Sequence, residues 1–83
     1  MTTPIKLYTL STCGHCKDTK RFLDECNAEY DFTDLDLLDQ SERQEILDEL
    51  KQLNPRCSVP TIVIGEKVIV GFKEYEIKEA IGL

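Results

Sequence analysis

Long apolar runs are missing from this 83-residue chain. No stretch reaches the roughly 18 apolar residues that a membrane span requires. Glycine and proline are scarce, with four and three copies, which excludes collagen-like or linker-dominated sequence. No internal repeat, low-complexity tract or basic cluster occurs. Without a basic cluster, and with a net charge of −6, nucleic acid is not an expected partner. The first residues, Met1-Thr2-Thr3-Pro4, show no basic region leading into an apolar stretch. A secretory leader is therefore not expected, and the reducing cytosol is the expected compartment.

What is present fits one small globular domain spanning 1–83, with 41% hydrophobic and 31% charged residues. A domain of this size buries about 60–65% of its unfolded surface, so an economical two-layer fold is expected. The acidity is uneven. Residues 31–50 hold eight acids and a single base, Arg43, whereas the rest of the chain is nearly balanced. The acidic stretch reads as a solvated helix face.

Periodicity divides the chain into seven elements. Ile5 to Leu10 alternates and is rich in strand formers. Cys16, Thr19, Phe22, Leu23 and Cys26 recur at helical spacing and predict a helix over about 14–26. Tyr30 to Leu37 alternates with period two, with a slip of phase between Phe32 and Leu35, and is expected as a strand. Asp39 with Glu42 and Ser41 with Gln44 each fit a capping box. The following helix buries Ile46, Leu47, Leu50 and Leu53 and stops at Asn54-Pro55, because proline disfavours helix in the residue before it. Thr61–Ile64 and Lys67–Val70 are β-branched runs separated by Gly65-Glu66, the spacing of a two-residue hairpin. Glu74 to Ile81 forms a last short helix with Gly82 near its end. The order β-α-β-α-β-β-α implies a right-handed crossover, a parallel pair and a terminal antiparallel hairpin. An α/β fold with a four-stranded mixed sheet flanked by three helices is expected. Reactive groups in such sheets collect at the carboxyl ends of parallel strands.

The first strand runs directly into Cys13-Gly14-His15-Cys16. Two cysteines three apart at a strand–helix junction can close a disulfide locally, and in a cytosolic chain they read as a redox pair. Cys13 would cap the helix and Cys16 would lie one turn inside. The orphan amides and partial positive charge of the first turn favour a thiolate on Cys13, and His15 and Lys17 add positive neighbours. Cys13, at the tip, would attack a substrate disulfide, and Cys16 would resolve the mixed disulfide. Other uses of the thiols fit less well. A c-type haem needs histidine directly after the second cysteine, where Lys17 stands. A structural zinc site needs four ligands, and Cys26 lies about 15 Å further along the same helix. Cys26 reads as a small core residue. Cys57 is either an ordinary loop residue or a third thiol near the pair.

Four features, in order along nearly the whole chain, make the sequence resemble the glutaredoxins of the thioredoxin superfamily. They are the strand ending Leu7-Tyr8-Thr9, Cys13-Gly14-His15-Cys16, Ser58-Val59-Pro60-Thr61, and Gly71 after the hairpin. The resemblance implies the thioredoxin-like glutaredoxin fold and thiol–disulfide exchange through a Cys13–Cys16 disulfide. It also implies a cis bond at Val59-Pro60 beside the cysteines. There the Val59 backbone pairs with an extended substrate, as in strand addition. Tyr8, Val59 and Phe72 would rim the substrate groove or else be ordinary packing, and Pro60, Gly71 and Lys73 would complete the binding surface. No bound cofactor or metal is implied.

Three departures from the common pattern are informative. Leu10 stands where glutathione-using glutaredoxins typically carry lysine. Their glycine pair near the last helix is replaced by Val70-Gly71-Phe72-Lys73. This second segment resembles the glutaredoxin-like redoxins that reduce ribonucleotide reductase and take electrons from thioredoxin reductase. Glutathione and thioredoxin reductase are therefore both candidate donors, with a protein or small-molecule disulfide as substrate and a monomer expected. Third, Gly14-His15 between the cysteines resembles protein disulfide isomerases and implies a potential of roughly −200 mV. The alternative is a redoxin that holds a metal or an iron–sulfur cluster on the same cysteines.

Overall fold

The computed structural model describes residues 4–82. Met1 to Thr3, on which the expected lack of a leader partly rests, lie outside the described residues. The elements are β1 (Ile5–Thr9), α1 (Gly14–Glu25), β2 (Asp31–Asp34), a single 3-10 turn (Leu35–Leu37), α2 (Gln40–Leu53), β3 (Thr61–Ile64), β4 (Lys67–Val70) and α3 (Glu74–Ala80). The sheet order is β2-β1-β3-β4. β1 pairs parallel with β2 and antiparallel with β3, and β3 pairs antiparallel with β4. The mixed four-stranded sheet read from the sequence is therefore present.

Alternation along β1 builds a layer on each face. Ile5 and Leu7 join Phe22 and Leu23 of α1, Ile62, Ile64 and Ile69 of the hairpin, and Ile77 of α3 in one buried cluster. Tyr8 points the other way and packs with Leu35 and with Leu50 of α2. Two helices thus cover one face and α2 covers the other, so the domain has three layers rather than the expected two, because both faces of β1 carry apolar side chains.

Asp39, of the two capping candidates, starts α2. Its side chain accepts the Glu42 N–H at 2.8 Å. Asn54 closes the helix one residue before Pro55. Gly65 occupies the left-handed region at φ 61° in the two-residue turn of the hairpin.

The segment 30–37 differs from its expectation. The strand ends at Asp34 and a 3-10 turn follows, so the phase slip marks a break in structure rather than an irregular strand. Of the expected apolar members Leu35 is buried, while Phe32 is 50% and Leu37 71% exposed. Arg43 explains the turn. Its Nε donates to the Leu35 carbonyl at 3.0 Å and its Nη2 to the Leu38 carbonyl at 3.0 Å and that of Asp36 at 3.4 Å. The lone base of the acidic stretch is thus a backbone staple.

Candidate active site

Strand register gathers the candidate residues at one end of the sheet. Tyr8 pairs with Thr61 and Thr61 with Val70. The residues just beyond those pairs are the loop from Leu10 to Cys13, Val59-Pro60, and Gly71. The Val59-Pro60 bond is cis. The Gly71 N–H donates to the Pro60 carbonyl at 2.8 Å, and Gly71 sits at φ +88°, where a side chain would be strained.

Cys13 is the N-cap of α1, with extended φ −82° and ψ 120°. Its Sγ accepts the Cys16 N–H at 3.3 Å, and its own N–H donates to the Leu10 carbonyl at 3.1 Å. The sulfur therefore takes the place that an oxygen usually takes in a cap. Cys13 is half-buried and Cys16 has no exposed surface. Burial, and next the hydrogen-bonded Cys13 thiol, push the Cys16 pKa up to about 12. One sulfur is presented and the other is kept neutral behind it. All four cysteines are free thiols. Gly14, His15 and Lys17 are exposed on the first turn. Among the described residues the His15 and Lys17 side chains make no hydrogen bond or ion pair.

Beside the cysteine loop lies a groove of about 390 Å³ with apolar walls from Leu10, Leu35, Leu47 and Val59. Cys57 faces it too, at φ 52°. Arg43 reaches the groove but spends its guanidinium on carbonyls. Asp36 is held by the Ser11 N–H at 2.8 Å and by the Ser11 hydroxyl. The Ser11 hydroxyl and then its amide keep this carboxyl below the usual range.

Phe72 meets Phe22 of α1 edge-on, with centroids 6.0 Å apart, so it ties the Gly71 segment to the cysteine helix. Lys73 is exposed and pairs with Glu76 at 3.7 Å. Cys26 is half-buried against the core, near to its expected place.

Tyr8 corrects an expectation. It is 1% exposed and belongs to the core under α2, not to the rim of the groove. Even phase on β1 turns it to that face, where its hydroxyl donates to Glu49 Oε1 at 2.6 Å. Burial and the Glu49 carboxylate raise the Tyr8 pKa, and the bond from Tyr8 lowers that of Glu49. Tyr8→Phe is expected to lower unfolding free energy by about 1 kcal/mol at pH 7. A carboxyl whose folded pKa is depressed stabilises above its unfolded value, about 4.3, and loses that contribution as pH falls through the folded one. The difference between wild type and Tyr8→Phe in urea midpoint should therefore shrink on acidification below pH ~4. A difference that is constant with pH refutes the pairing.

Two groups that the sequence did not expose also serve this end of the sheet. Asn54 is buried, and its Nδ2 donates to Ser58 Oγ at 3.0 Å and Thr61 Oγ1 at 3.1 Å, with a longer approach to the Ser58 carbonyl at 3.4 Å. Thr61 Oγ1 in turn donates to the Ser58 carbonyl at 2.7 Å. This network fixes the loop that carries Val59-Pro60. Lys20, one turn beyond Cys16, is bonded inward to Asp34. An Asn-Pro pair signals only a helix end, and a lysine among seven lysines and three arginines signals only solubility.

Among the described residues, no group of three or more His, Cys, Asp or Glu side chains could hold a metal ion. Nor is any helix long and apolar enough to cross a membrane.

Comparison with known proteins agrees with this geometry. The family model described as Glutaredoxin matches residues 5–69. A glutaredoxin-like 8.6 kDa protein from the rubredoxin operon of Clostridium pasteurianum is 38% identical over 93% of this chain and 96% of its own length. The crystal structure of methanoredoxin from Methanosarcina acetivorans is 38% identical, covers 99% of this chain and 87% of that one, and superposes with a TM-score of 0.94. A buckwheat glutaredoxin solved in complex with glutathione is 27% identical over 93% of this chain and 68% of its own, with a TM-score of 0.74. The chain therefore belongs to the glutaredoxin family and has its thioredoxin-like fold.

Proposed function

We propose that this protein is a dithiol thiol–disulfide oxidoreductase acting through Cys13 and Cys16. The observation that carries the proposal is the Cys16 N–H donated to Cys13 Sγ at 3.3 Å, with Cys16 fully enclosed. A half-buried sulfur at a helix start, with its partner thiol one turn behind, is placed to act as the nucleophile. It attacks a substrate disulfide and forms a mixed disulfide. Cys16 then attacks Cys13 Sγ, the Cys13–Cys16 disulfide forms, and the second substrate thiol leaves. Val59, Pro60, Gly71 and Phe72 form the surface on which the substrate backbone lies, with Lys73 at its margin. Gly14, His15 and Lys17 tune the pair, whose potential should be about −200 mV. Equilibration with glutathione buffers measures it, and a value near −270 mV contradicts this assignment. One cytosolic monomer, comprising a single domain, suffices for these steps.

The substrate is a protein disulfide or a glutathione mixed disulfide, and the donor is glutathione or thioredoxin reductase. The groove supports thioredoxin reductase. Leu10 is apolar, and Arg43 is turned to three carbonyls, so neither offers a free cation to a glutathione carboxylate. The deciding experiment reduces a protein disulfide with NADPH and either glutathione plus its reductase or thioredoxin reductase. Faster turnover with thioredoxin reductase is expected. Turnover with glutathione alone overturns the donor assignment, and failure with both overturns the activity.

A further inference from the structure

An enclosed thiol is slow to release its proton, since burial disfavours the charged form. For Cys16 burial and the Cys13 thiol act in that sense, while a backbone hydrogen bond from Leu10 and the charge of Lys20 oppose them. Lys20 follows Cys16 by four residues, so both rise from the same face of α1. Its side chain does not extend into water as a surface lysine usually does. Nζ lies 3.2 Å from Asp34 Oδ1, with the two side chains 21% and 11% exposed. The same ammonium stands 3.9 Å from the centroid of the Phe32 ring. Asp34 is fixed in turn by Thr9 Oγ1, which donates to it at 2.5 Å. The ends of β1 and β2 therefore hold a lysine of α1 one helical turn after Cys16.

We propose that Lys20 is a positioning residue for the resolving step, supplying the positive field in which Cys16 ionises, and that Asp34 sets how much of that field reaches the sulfur. This rests on the oxidoreductase function proposed above. Once Cys13 carries the substrate, its own thiol no longer opposes ionisation of Cys16. Burial is then the obstacle and Lys20 the cation acting against it. Cys16 gives its proton to solvent, and its thiolate attacks Cys13 Sγ. The Cys13–Cys16 bond forms as the bond from Cys13 to the substrate sulfur breaks, and that sulfur leaves as a thiolate that takes up a proton. The substrate disulfide gains two electrons and the cysteine pair loses two. The other titratable groups of these elements lie further out. His15 and Lys17 are exposed, and Tyr30 directs its hydroxyl to Asp24 at 3.1 Å.

The test is a single turnover of the reduced protein with an aryl disulfide whose leaving thiolate is coloured. The first equivalent released reports attack by Cys13 and the second reports resolution by Cys16. Lys20→Met should slow the second phase roughly tenfold and raise its pH midpoint by about one unit. Asp34→Asn, which frees the ammonium, should lower the midpoint. Lys20→Arg should restore the second phase. A Lys20→Met second phase as fast as wild type, or midpoints that move in the same direction for Lys20→Met and Asp34→Asn, overturns the inference. Absence of the first phase in the wild-type protein instead overturns the oxidoreductase function itself.

Discussion

Cys13→Ser should abolish disulfide reduction, by roughly three orders of magnitude or more, whereas Cys16→Ser should stop after one step. The asymmetry follows from the two sulfurs' surroundings. Cys13 is the half-buried cap of α1 and Cys16 is enclosed a turn behind it. Without Cys13 the remaining thiol of the pair is shielded from substrate and held neutral by burial. Without Cys16 the first attack still proceeds, but the mixed disulfide has no internal partner and accumulates. Mass spectrometry after mixing with a small disulfide distinguishes the cases. Cys16→Ser should carry one substrate thiol on residue 13, and Cys13→Ser should carry none there and turn nothing over. A Cys13→Ser variant with residual activity near wild type would move the chemistry elsewhere.

The second large effect is expected at Asn54→Ala. Its amide donates to Ser58 Oγ and Thr61 Oγ1, its carbonyl oxygen accepts the Arg56 N–H at 3.2 Å, and its backbone caps α2. A buried polar partner left unmade costs about 1–3 kcal/mol. The substitution should therefore lower unfolding free energy by about 2–3 kcal/mol. The loss should also reach function, because this network holds Ser58 directly before Val59-Pro60. KM for a protein disulfide should rise while the rate of Cys13 alkylation by iodoacetamide stays near wild type. In a double-mutant cycle, Thr61→Val should then cost less in the Asn54→Ala background than alone. Additive losses, or an unaltered KM, would show that the network does not position the loop.

Much of this architecture was legible from periodicity and turn chemistry. Cys16, Thr19, Phe22 and Leu23 lie at helical spacing, and all four are buried on α1. Gly65-Glu66 marks the hairpin, and Asp39 marks the start of α2. The segment after Asp34 was not legible, because Leu35 and Leu37 mimic an alternating strand. What stops the strand is a long-range grip by Arg43, which no local pattern encodes. The sequence leaves Tyr8 between groove rim and packing for a related reason. An aromatic at the end of a strand suits a binding rim or a core equally, and the sheet face it takes is decided by α2 and Glu49. Cys13 and Cys16 were readable because their chemistry is local, two thiols in one helical turn. Lys20 and Asn54 were not, because their roles depend on partners fourteen and seven residues away.

The enclosure of Cys16 also bears on oxidative damage. Hydrogen peroxide should reach Cys13, the more accessible sulfur of the pair, first and convert it to a sulfenic acid. A second thiol one helical turn away condenses with that acid, forming a disulfide and expelling water, before further oxygen can add. The irreversible sulfinic and sulfonic rungs are thereby bypassed, and the protein should survive peroxide as a species that its own electron donor can restore.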